Sequence, residues 1–164
     1  MKPKFLWSGL LLAGAALLMS CGSSTGPSVP PPAIAPEVAL CSAQLYATTT
    51  QVIGTSGGSL KLGKNRFDIP PGALTVPVSI TMEAVAGTAR SVRFSPEGLI
   101  FNPLRLPKLK LDTKGCNLPH GMKLKIAYTS ESLQILDTLS STTGVFSGTV
   151  DADLGHFSRY AVAW

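Results

Sequence analysis

Beyond about residue 44, apolar and polar residues alternate with a period of two. Val76, Val78, Ile80 and Met82 alternate with Pro77, Ser79, Thr81 and Glu83. Leu124, Ile126 and Tyr128 alternate with Lys123, Lys125 and Ala127. Phe146, Val150 and Leu154 share a parity with Gly148 and Ala152, and Tyr160, Val162 and Trp164 share one at the end of the chain. This is the signature of half-buried strands. The runs are short and separated by SGG, PPG, SPEG and TKG, which are turn sequences. No segment past residue 44 has a helical period. The pattern predicts an all-β fold of antiparallel sheets, each burying one face, as a sandwich or a barrel. In PLRLPKLKLD (103–112), Leu104 and Leu106 have one parity and Leu109 and Leu111 the other. Either a bulge turns all four inward, or two strands flank a bend at Pro107.

The beginning of the chain differs. Lys2 and Lys4 precede an apolar run from Phe5 to Met19. The run is shorter than the roughly 20 residues of a spanning helix and has no amphipathic period. A basic start, an apolar stretch and small residues after it predict a secretory signal over 1–20. Its end, Leu18-Met19-Ser20-Cys21, resembles the lipobox of bacterial lipoproteins. The resemblance implies cleavage before Cys21 and acylation of that cysteine, whose thiolate is nucleophilic enough to take the lipid. More than one acyl chain is needed for stable anchoring. Gly22 stands where an Asp would signal inner-membrane retention, which favours the outer membrane in a host that has one. Next comes GSSTGPSVPPPAIAPEVAL, rich in Pro, Ser and Gly, which predicts a disordered, semi-extended linker over 21–43. The sandwich is expected over 44–164.

Charge and candidate chemistry exclude more than they suggest. The chain carries 14 Lys and Arg against 9 Asp and Glu; without Lys2 and Lys4 the balance is 12 against 9, a net +3. The cations are spread out, so no nucleic-acid partner is expected. With Cys21 assigned to lipid, Cys41 and Cys116 remain. In an exported chain they are either one disulfide or two buried thiols. No C-x-x-C is present, His120 and His156 are far apart, and no metal or cofactor is expected. Asp151 and Asp153 share a strand face, either as a weak calcium contact or as solvated strand residues. GTSGG (54–58) matches G-x-S-x-G around Ser56, but a strand-like SLKLG follows instead of the helix a hydrolase nucleophile needs. A glycine-rich hairpin fits better.

Residues 57–74, GGSLKLGKNRFDIPPGAL, followed by VPVSITMEAV, resemble the ZU-five domain, the β-sandwich module named for zonula occludens and Unc-five proteins and found in ankyrins. The resemblance rests on Gly57-Gly58, Leu60, Ile69-Pro70-Pro71-Gly72-Ala73-Leu74 and Val78-Ser79-Ile80-Thr81. It extends through FSPEGLIFNPLRL (94–106) to a closing HFSRYAV (156–162), and so covers about residues 47–164. It implies an antiparallel β-sandwich of ZU-five type. Some animal members cut themselves at His-Phe-Ser. Carried over, Ser158 would attack the Phe157 carbonyl with His156 as base, breaking the Phe157–Ser158 bond. On an ideal strand, residues two apart have Cα atoms about 6.5–7 Å apart, so His156 and Ser158 approach only where the backbone is kinked. The alternative is an uncut closing strand, with His156 and Ser158 on the face of Tyr160 and Phe157 on the other.

Together these features predict a lipid-anchored envelope protein, its domain in the periplasm or at the cell surface. It would display a non-enzymatic binding domain to an envelope protein or glycan partner. A self-processing domain and a structural component of envelope assembly are the two alternatives.

Overall fold

The computed structural model describes residues 35–144 and 148–164. The expected signal, Cys21, most of the expected linker, and Phe146 lie outside the described residues. The described residues form thirteen strands and no helix. They are β1 (Leu40–Gln44), β2 (Ala47–Ile53), β3 (Gly58–Leu62), β4 (Asn65–Ile69), β5 (Val78–Ala84), β6 (Gly87–Ala89) and β7 (Ser91–Ser95), then β8 (Lys108–Asp112), β9 (Lys125–Thr129), β10 (Ile135–Thr138), β11 (Ser141–Gly144), β12 (Thr149–Asp153) and β13 (Arg159–Ala163). All pairings between them are antiparallel. One sheet has the order β10-β9-β13-β7-β5-β2, a second β11-β12-β8-β4-β3, and β1 pairs with β6 alone.

Period-two patterning produces this architecture directly. In β5, Ile80, Met82 and Ala84 are buried and Ser79, Thr81 and Glu83 face out. In the second sheet Leu109, Leu111, Val150 and Ala152 point inward, which leaves their neighbours to pair across strands. Lys110 lies opposite Asp151 and Lys108 opposite Asp153, each pair 3.6 Å apart. These exposed ion pairs contribute a few tenths of a kcal/mol each, on the order of 0.2–1. Between the sheets, the rings of Phe67, Phe94, Phe101, Phe157 and Tyr160 form one cluster. Phe67 and Phe94 have centroids 4.6 Å apart, and Phe94 and Phe157 stack at 4.8 Å. The result is a β-sandwich closed around aromatic rings, which bury the most apolar area per residue.

Several details depart from the sequence pattern. Val76 is exposed ahead of β5, because the strand begins only after Pro77. Leu104 is exposed and Leu106 half-buried; the chain turns at 103–105, Arg105 N–H donating to Asn102 O at 2.9 Å, and β8 starts after Pro107. Neither expectation holds in full: there is no bulge, and the turn at 103–105 is followed by a strand, β8, but not preceded by one. In β13 both faces are buried, not one. This strand lies centrally between β9 and β7, and its outward residues are the small Ala161 and Ala163 plus Arg159, only 8% exposed. Finally, the expected linker ends earlier than residue 43. Val38 bridges to Ala163, Ala39 is buried, and Cys41 lies within β1.

Candidate functional site

The chain approaches its last strand through a bend, with regular pairing resuming only at Arg159. Backbone hydrogen bonds clamp the bend. Phe101 N–H donates to Gly155 O at 3.1 Å, Phe157 N–H to Leu99 O at 2.8 Å, Gly98 N–H to Phe157 O at 3.1 Å, and Phe94 N–H to Ser158 O at 3.1 Å. The 94–101 segment supplies every one of these partners, and Gly98, with φ of 74°, makes the turn that brings its own N–H to the Phe157 carbonyl. The bend puts Phe157 in the aromatic core, on the same side as Tyr160. This corrects the expectation that Phe157 faces away from Tyr160; the two are three positions apart, and the irregular backbone absorbs the change of parity.

His156 and Ser158 consequently diverge. The His156 ring is edge-on to Tyr128 at 5.0 Å, and its Nδ1 lies 3.4 Å from the Phe157 carbonyl oxygen. The Tyr160 hydroxyl donates to the His156 carbonyl at 2.7 Å. Burial, with a contribution from Tyr128, raises the Tyr160 pKa far above its ordinary value, so it remains a donor throughout the neutral range. Ser158 instead borders a cavity of about 280 Å³ shared with Glu83, Arg93, Glu97 and Glu131. No hydrogen bond joins Ser158 Oγ to the His156 ring. No residue from His156 to Ser158 adopts a positive φ; Leu133 is the single non-glycine residue that does among those described.

The charges around that cavity form a network that the sequence pattern does not announce. Register places Glu83, Arg93, Arg159 and Thr129 in one row across β5, β7, β13 and β9. Arg93 donates to Glu83 at 2.8 Å and to Glu131 at 2.9 Å. Arg159 donates through Nη1 to the Glu131 backbone carbonyl and through Nη2 to Ser91 Oγ at 3.1 Å. The hydrogen bond to Glu83 raises the Arg93 pKa, while burial lowers that of Arg159 against the pull of Glu131. A lone arginine in the apolar RYAVAW was the available signal: a buried guanidinium requires partners.

The other predicted positions are scattered. Ser56 is exposed in the β2–β3 turn, with Gly57 N–H donating to Gly54 O, and β3 follows. His120 is exposed in the β8–β9 loop. Asp151 and Asp153 face lysines. No group of three or more His, Cys, Asp or Glu suited to a metal occurs among the described residues.

The chain matches no family model and no curated protein with which it was compared.

Cys41 and Cys116 do meet, in a disulfide. Two backbone bonds flank it: Ser42 N–H donates to Gly115 O at 2.7 Å and Asn117 N–H to Leu40 O at 2.8 Å. Those bonds hold the β8–β9 loop alongside β1, so the bridge completes a short antiparallel ladder.

Proposed function

We propose that this chain is a lipid-anchored envelope protein whose β-sandwich, of ZU-five type, is a binding module displayed on a short tether. The distribution of cysteines carries this reading. Cys41 and Cys116 are bonded to each other, as suits an oxidising compartment outside the cytoplasm. That leaves Cys21, at the end of the apolar run and in a lipobox-like context, as the free thiol for acylation. The resemblance over residues 57–106 and 156–162 supports the module assignment, and the separation of His156 from Ser158 supports binding over catalysis. The partner class is an envelope protein or glycan, with assembly of envelope components as a related role. The test is metabolic labelling with an alkyne fatty acid in a bacterial host. The wild-type chain takes up label and Cys21→Ser does not; label retained in Cys21→Ser refutes the anchor.

One contact favours a second reading, cleavage of Phe157–Ser158. The Phe157 carbonyl already accepts the Gly98 N–H, the kind of contact that stabilises an oxyanion. Cleavage would need His156 to turn from Tyr128 toward Ser158.

A further inference from the structure

The two ends of the sandwich differ in charge, and the difference coincides with where the chain enters. Entry is at Glu37–Ala39: Val38 bridges Ala163, and Trp164 N–H donates to Glu37 O at 3.1 Å. Strand register brings the β1–β2 connection, the β3–β4 turn, the start of β7, the end of β8 and the start of β9 to this same end. Lys64 occupies the β3–β4 turn and borders a hollow with Leu45, Arg90 and Asp112; Asp112 and Glu37 are the acidic residues of this end, outnumbered by its lysines and Arg90. Arg90 donates to the carbonyl of Lys114 at 3.1 Å, which holds Lys114 nearby. Lys125 is opposite Ala163, and Lys123 and Lys125 border an open groove of about 830 Å³ with Leu118 and Met122.

None of Lys64, Lys114, Lys123 and Lys125 is ion-paired to a described residue, whereas on the sheet faces Arg66, Arg93, Lys108 and Lys110 are and Lys61 is not. The lysines at the entry end are thus left free to neutralise something outside the molecule. Apolar side chains stand among them: Leu45 is 87% exposed, Leu40 64% and Tyr46 61%. The opposite end has Glu97, Glu131 and Arg105 in its loops. A basic rim around exposed leucine and tyrosine suits the interface of an anionic bilayer, where cations meet headgroups and an aromatic ring sits at the boundary.

We propose that the entry end of the sandwich docks on an anionic lipid surface, through Lys64, Lys114, Lys123 and Lys125 with Leu45 and Tyr46 inserted between headgroups. The inference rests on the lipid-anchor reading for its tether. Even fully extended, residues 22–34 reach at most about 47 Å, at about 3.6 Å each, so an anchored domain stays at high effective concentration over the bilayer and weak contacts suffice. Each lysine close to an anionic leaflet contributes roughly a fivefold factor in affinity.

The test uses the full chain reconstituted into phosphatidylcholine vesicles with or without phosphatidylglycerol. Lysine acetylation is followed residue by residue by mass spectrometry. On anionic vesicles at low salt, Lys64, Lys114, Lys123 and Lys125 react severalfold more slowly than on neutral ones, and Lys108 and Lys110 react equally on both. High salt removes the protection. The double variant Lys64→Glu, Lys114→Glu loses protection at Lys123 and Lys125, whereas Leu104→Ser, at the opposite end, retains it. Reactivity indifferent to lipid charge overturns the docking surface. Failure of the anchor is separately visible: the chain then leaves neutral vesicles on sedimentation, while anionic vesicles still bind and protect it.

Discussion

At the scale of single residues, a few positions are fixed by space that no other side chain fits. Gly57 turns β2 into β3 with φ of 76°, and a Cβ there would lie 2.3 Å from the Ile69 carbonyl oxygen. The Gly-Gly turn thus packs against the start of Ile69-Pro70-Pro71, which explains why these separated parts of the sequence belong to one structural unit. Gly57→Ala should destabilise the fold by about 2 kcal/mol or more, since it adds both a clash and a strained φ; urea denaturation measures this. Its neighbour Gly58 has no positive φ. A Cβ there would lie 2.6 Å from the end of the Ile53 side chain, which would have to shift to admit it. Tyr160 gives a second test. Its pKa is raised by burial, so the folded state keeps the proton after the unfolded chain has lost it. Its contribution is fully present below the unfolded value of about 10 and is lost as pH rises from there toward the folded value. Tyr160→Phe should cost about 1 kcal/mol near neutrality, for the lost bond to the His156 carbonyl, and should show a shallower alkaline decline than the wild type.

At the scale of elements, the legible parts were the strands with one buried face. Ile80 and Met82, Leu109 and Leu111, Val150 and Ala152 could be read from alternation alone because each packs on a single core. Two kinds of element could not. β13 is central, so the alternation of Tyr160 and Val162 reveals one buried face and not the burial of Arg159, Ala161 and Ala163 on the other. The partners of Arg159, Glu131 and Ser91, are distant in sequence, and its Nε has none. The closing bend was illegible for another reason: its shape is set by backbone bonds from residues 94–101, and no side-chain period encodes those. Hence Phe157 was misplaced and His156 and Ser158 were put on one face. The cysteine pair was legible only as one of two options, and the bridge resolves it. It closes a separation of 75 residues, worth roughly 4 kcal/mol by chain-entropy reasoning. Cys116→Ala should lower unfolding stability by about 2–4 kcal/mol, and reductant should destabilise the wild type but leave the variant unchanged. A wild type indifferent to reductant would argue that β1 is held by its backbone bonds alone.

At the scale of the whole molecule, the described residues group into the end where the chain enters and a far end, with an aromatic core between. The entry strand is stapled to the β8–β9 loop by the Cys41–Cys116 bond. The closing strand is central and bonded on both edges. Loss of the seven residues after Phe157 would therefore remove the middle of the six-stranded sheet. Lipid anchoring and an uncut closing strand can be read together from the intact mass of the chain purified from a bacterial host. A single species is expected, beginning at Cys21, ending at Trp164 and carrying the added mass of acyl chains. A chain that retains Met1–Ser20 without lipid, or one that has lost Ser158–Trp164 while Ser158→Ala stays whole, would contradict it.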